Sequence, residues 1–129
     1  MPYTFGKEER LCSRSLIDRL YAEGHKLMAF PFSVQWMATD GPKPCLVMIV
    51  APKRKFRHAV DRNRVRRLTR ECWRLRKPEL YTFLQERNLS IALSLVYIHN
   101  EIMSYGQLCH KADKLVALLE QDIQKSLEP

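Results

Sequence analysis

Arginine dominates the residues that could do chemistry in this sequence. Between Lys53 and Lys77 lie twelve of its 22 Lys and Arg residues, with only two acids, Asp61 and Glu71, among them. The formal charge of the whole chain is +8, so this segment carries more than all of it and the remainder is slightly acidic. A guanidinium is fixed in charge at neutral pH and serves neither as general acid nor as base. Its planar fork instead takes two phosphate oxygens or stacks on a base. A concentrated positive field of this kind suits a polyanion, because each phosphate it neutralises releases condensed counterions.

The patterns that an active site of its own would need are missing. There is no Gly-rich phosphate loop, no His-x-x-Glu-type ligand set and no close carboxylate pair. Cys12, Cys45, Cys72 and Cys109 stand roughly thirty residues apart without a Cys-x-x-Cys pair, and His25, His58, His99 and His110 are scattered. These read as reduced thiols and ordinary histidines, with no metal site and no disulfide framework expected.

A helix must present the arginines. Projected at about 100° per residue, residues 62–76 place Val65, Leu68, Cys72 and Leu75 on one stripe, which is the expected buried face. Asn63, Arg66, Arg67, Arg70 and Arg74 lie opposite, flanked by Arg62 and Trp73 on one side and by Arg64 and Glu71 on the other. Like charges at i,i+4, here Arg62, Arg66, Arg70 and Arg74, weaken an isolated helix. A bare solvated face therefore accounts for them poorly, and nucleic acid or another polyphosphate accounts for them well. Asn63 either caps the helix start or offers an uncharged group to a base, ribose or phosphate.

The rest of the chain supplies the scaffold. Its 129 residues, 46% of them hydrophobic, suffice for a single α+β domain spanning 1–129. No apolar run is long enough to cross a bilayer and no signal peptide is evident at the start, so a cytoplasmic protein is expected, with no membrane partner. Ser13 or Ser15 can cap a short helix with Leu16, Ile17, Leu20 and Tyr21 on one face, ended by Gly24. From Met28 the period becomes two, with Phe30, Phe32, Val34 and Trp36 alternating in one strand whose Pro31 suits an edge, before a turn at Asp40-Gly41-Pro42. The apolar run from Cys45 to Ala51 is expected to form a hairpin with that strand, and Leu89 to His99 reads as a central strand covered on both faces. A final amphipathic helix from Tyr105 to Leu127 carries Leu108, Ala112, Leu115, Leu119 and Ile123 on one stripe.

The run Ala59-Val60-Asp61-Arg62-Asn63-Arg64-Val65-Arg66-Arg67-Leu68-Thr69-Arg70-Glu71 resembles the signature of the bacterial ribonuclease P protein component. The likeness extends to Lys53-Arg54-Lys55 after an apolar strand, to Phe5-x-Lys7-x-x-Arg10-Leu11, to the short helix ending at Gly24 and to the strand beyond the basic helix. The resemblance implies a two-layer α/β sandwich, ribosomal-protein-like, with a mixed sheet and a left-handed β-α-β crossover carrying the arginine helix. It also implies an accessory subunit of the ribonucleoprotein endonuclease that removes the 5′ leader of precursor tRNA. Hydrolysis is then expected from the RNA subunit and its Mg²⁺, with no catalytic side chain in this chain; no DNA partner is expected.

By the same resemblance Arg62, Asn63, Arg64, Arg66, Arg67, Arg70 and Arg74, with Lys53, Arg54 and Lys55, are expected on the ribonuclease P RNA. Ile17, Tyr21, Phe32 and Gln35 are expected to line a cleft for the precursor tRNA leader, where stacked bases need aromatic platforms. Spacing alone fits Tyr21 and Phe32 to core packing as well. The chain departs from the family twice. It lacks the Gly that often precedes Ala-Val, in a turn one residue longer, and it has Gln35 where an aromatic residue is common. A ribosomal or ribosome-assembly RNA-binding protein would share the basic platform. A DNA groove reader would usually expose more Asn, Gln, Ser or Thr beside its arginines.

Overall fold

Serine capping sets the first element. In the computed structural model, which describes residues 9–41 and 43–127, the Ser13 hydroxyl accepts the Leu16 N–H and opens α1, Arg14–Glu23. Gly24 ends it, but not through a left-handed turn, since its φ is −66°. A Cβ at Gly24 would stand 2.4 Å from the Leu20 carbonyl oxygen and 3.2 Å from that of Trp36. Close approach to the last turn of α1 is what requires glycine there, with the β2 backbone also near.

The expected strand from Met28 is two strands. β1, His25–Ala29, and β2, Phe32–Thr39, pair antiparallel across a tight turn at Phe30 and Pro31. Pro31 thus sits in the turn, where its missing N–H costs the ladder nothing. Of the expected turn at 40–42, Pro42 lies outside the described residues, as do Phe5 and Lys7 of the N-terminal motif.

β3, Cys45–Val50, does not form a hairpin with β2. The sheet order is β1-β2-β4-β3, so β4, Ser90–Tyr97, separates them, antiparallel to β2 and parallel to β3. Chain adjacency suggested a hairpin, but the two strands instead flank β4 on either side. Expectation and structure agree on β4 itself, which is buried along almost its whole length. Between β3 and β4 runs α2, Ala59–Glu86, and α3, Tyr105–Leu127, closes the chain.

The strands divide the core in two. Phe32, Val34 and Trp36 of β2 with Ile91, Leu93, Leu95 and Tyr97 of β4 meet α2 and α3 in the main cluster. Trp36 Nε1 donates to Asp122 Oδ2 at 2.7 Å, tying α3 to the sheet. The other face holds a small cluster of Leu11, Leu20, Met37 and Ala92, on which Leu16, Ile17, Leu46 and Met48 pack. There α1 is the sole helical cover among the described residues.

Candidate nucleic-acid interface

The long helix continues well past the projected segment, through Pro78 to Glu86, because Leu80 and Leu84 carry the buried stripe on without exposure. Its buried residues are Val65, Thr69, Cys72, Trp73, Lys77, Leu80 and Leu84. Within residues 62–76 the buried face is turned relative to the projected stripe, by roughly 65° at about 100° per residue. Trp73 belongs inside, Leu68 is half-buried, and Leu75 is 42% exposed. The cause is partner geometry: the stripe faces both the sheet and α3, and the larger Trp73 fills the junction.

The turn that precedes α2 lacks the family glycine and is held by Phe56. This ring is buried in the main cluster, and the Lys55 and Phe56 N–H groups both donate to the Pro52 carbonyl. Arg62 Nη1 donates to the carbonyls of Phe56 and Arg57 at 2.8 and 2.9 Å. Arg62 therefore builds the turn. Helix α2 starts at Ala59 with His58 at the cap position, so Asn63 lies beyond the first turn and caps nothing. Its side-chain carbonyl accepts instead from Arg66 Nη2.

The remaining cations sort by direction. Arg64 and Arg67 are exposed on the outer face, and Lys53 and Arg54 are exposed on the turn. Lys55 donates to Asn100 Oδ1 at 3.1 Å. Arg74 pairs with Glu71 at 2.9 Å and Arg76 with Asp113 at 2.7 Å. Arg66 and Arg70 are half-buried and turn toward the β3 edge, beside Arg10. Burial first, and then the charges of Arg10 and Arg66, lower the Arg70 pKa. Like charges crowd there, which favours an anion.

Lys77, counted with the cationic cluster on sequence, contributes nothing to that field. It is 2% exposed and lies 2.5 Å from Glu9 Oε1. Tyr81 also donates to that oxygen at 2.9 Å. Burial above all, aided by Cys45 and Glu9, pushes the Tyr81 hydroxyl pKa well up, which keeps it a donor. The i+4 steps from Val65 through Thr69 and Trp73 to Lys77 were the available signal that this lysine points inward.

Of the four residues expected in a cleft, three come together. Ile17 and Tyr21 on α1 and Gln35 on β2 lie on the face that α1 only partly covers. Tyr21 is 41% exposed, and its hydroxyl lies 3.0 Å from Ser94 Oγ on β4. That contact ties an exposed ring to the sheet, outside both core clusters. The Gln35 amide donates to the Leu20 carbonyl at 3.5 Å, at the end of α1. Phe32 is elsewhere. It is 2% exposed on the opposite face, set edge-on to Tyr97 at 5.7 Å, because period two in β2 separates it from Gln35. Phe32 is core, as the alternative reading of its spacing had it.

No group of three or more His, Cys, Asp or Glu among the described residues could hold a metal ion. No helix there is long and apolar enough to cross a membrane.

Comparison with known proteins matches this architecture. Residues 5–120 fit the family profile described as Ribonuclease P. The ribonuclease P protein component of Porphyromonas gingivalis is 33% identical over 108 residues, 81% of this chain and 79% of that protein. That of Pseudoalteromonas translucida is 37% identical over 75 residues, 58% of this chain and 53% of that protein. Among solved structures, the RNase P protein of Staphylococcus aureus superposes with a TM-score of 0.68 at 17% identity, covering 86% of this chain and 94% of that one. The Thermotoga maritima RNase P protein gives 0.67 at 21% identity, covering 88% and 96%. With the arginine signature on α2, a mixed four-stranded sheet and a profile match over most of its length, the chain belongs to the ribonuclease P protein family.

Proposed function

We propose that this chain is the protein subunit of a ribonuclease P ribonucleoprotein, binding the catalytic RNA and the 5′ leader of precursor tRNA while the RNA performs the hydrolysis. The observation that carries it is the rotation of α2. A fully buried Val65, Cys72, Trp73 and Leu80 fix that helix on the sheet, so Arg64, Arg67 and the inward-turned Arg66 and Arg70 are presented at set angles to a phosphate backbone. Lys53, Arg54 and Lys55 extend the same surface. Mg²⁺ is assigned to the RNA, and no step runs through a side chain of this chain.

The leader lies in the groove beside α1. Tyr21 supports this with its exposed ring held over the sheet, and each stacked base contributes about 1–3 kcal/mol without demanding a sequence. Ile17 and Gln35 border it. In this reading Gln35 serves through its hydrogen-bonding amide, and stacking falls to Tyr21.

Cleavage assays on precursor tRNA test the proposal. The purified protein alone should give no cleavage, and at low Mg²⁺ leader removal should appear strongly only when protein and catalytic RNA are combined. Arg67→Ala should lower the salt slope of RNA binding by about one phosphate contact. Cleavage without RNA, or an RNA subunit indifferent to the protein, would sink the assignment; tight binding to ribosomal RNA in place of the catalytic RNA would favour a ribosome-assembly role.

A further inference from the structure

The segment before α1 lies along the outer edge of β3. Arg10 bridges Val47 in parallel register, and the Leu11 N–H donates to the Val47 carbonyl at 2.9 Å. Charge pins this strap: Glu9 meets Lys77 at 2.5 Å and receives the Tyr81 hydroxyl at 2.9 Å. A buried pair of this kind holds only with good geometry and further hydrogen bonds, and both are present. The anchor fixes the direction of the chain at Glu9, and so the place of the next residue, Arg10.

Between strap, β3 edge and α2 opens a cleft of about 180 Å³, lined among others by Arg10, Cys12, Met48, Ile49, Arg66 and Arg70. A water takes about 30 Å³, so the space admits a larger polar group. No acid is among its described lining residues. Three guanidinium groups from two distant stretches of chain converge there over an apolar strand edge. Such a fork geometry matches phosphate oxygens.

We propose that this cleft is a phosphate-binding site that takes one phosphodiester of an RNA backbone between Arg10, Arg66 and Arg70, with Glu9 as the positioning residue that holds Arg10 in place. The site rests on the RNA-binding reading above and extends it from the helix face to the strap. The Glu9–Lys77 pair, which neutralises one cation inside the protein, thereby places another outside it.

Cys12 gives a direct readout, being exposed and part of the lining. Cys45 is buried, and burial with the Cys109 contact pushes the Cys72 thiol up to about 12. Alkylation of Cys12 by iodoacetamide can therefore be followed on its own peptide by mass spectrometry, using the full chain and a short single-stranded oligoribonucleotide. Saturating oligoribonucleotide should slow Cys12 alkylation about fivefold or more. Arg10→Ala should abolish that protection and lower the salt slope by about 0.7, the value for one phosphate on a single strand. Lys114→Ala, on the distant face of α3, should change neither. Glu9→Gln, where it stays folded by circular dichroism, should lower the slope as Arg10→Ala does, and the double variant should lower it no further. Unchanged Cys12 rates under saturating RNA, or a full slope in Arg10→Ala, would overturn the site. Leader cleavage measured on the same variants separates the two proposals. Normal cleavage with no Arg10 dependence removes the cleft alone, and Arg10-dependent protection without cleavage removes the processing role alone.

Discussion

The two faces of the sheet are built from the same strands and treated differently. One is sealed by α2 and α3 over Phe32, Trp36, Leu93 and Tyr97; the other receives, among the described residues, the ten-residue α1 and Leu11 just before it. The sealed face has Trp73 and Leu80 essentially without solvent, while the half-covered face leaves Tyr21 at 41% and Met28 at 60% exposure. Packing is concentrated on the first, and exposed side chains are left on the second. The arginines stand on the back of the sealing helix, so their orientation is inherited from the core without any being part of it.

Three substitutions test this division. Trp73→Ala, on the sealed face, is expected to cost about 3–5 kcal/mol in denaturant unfolding; a loss under about 1 kcal/mol would mean that α2 is not seated as described. Tyr21→Ala, on the half-covered face, is expected to weaken binding of a leader-bearing precursor by about 1–3 kcal/mol. Binding of a leaderless tRNA should be unchanged. Should both substrates weaken equally, the ring holds the fold and reads no leader. Leu75→Ala is the smallest, expected within about 0.5 kcal/mol of the parent in the same unfolding measurement, since the side chain is 42% exposed. A cost comparable to that of Trp73→Ala would restore the stripe projected from sequence.

Much of this was readable in the residues, and the failures share a cause. The basic helix, the cap at Ser13, the central β4 and the stripe of α3 are local patterns, and local patterns survive folding. What spacing could not supply was pairing between distant segments. The hairpin expected between β2 and β3 gave way to β4 lying between them, and a continuous strand from Met28 became two. Phe32 and Gln35 alternate in the sequence, but which face was to be filled depended on α2 and α3. Lys77 looked like one more cation until Glu9, sixty-eight residues away, came beside it. Arg10 was legible as part of an N-terminal motif; its nearness to Arg66 and Arg70 was not, because that follows from the edge pairing with Val47.

The strand order also dictates a sequence of events during synthesis. β4 is the last strand made and the one that touches both β2 and β3. A growing chain that has reached Glu86 already holds every residue of α2, but not the strand that completes the sheet on which its apolar stripe packs. At about 5–20 residues per second, that interval lasts on the order of a second. During it the stripe of Val65, Cys72 and Leu80 has only part of its final partner surface. Strand β4 joins β2 to β3 and supplies residues that seat the helix, so the sheet is completed by its last strand.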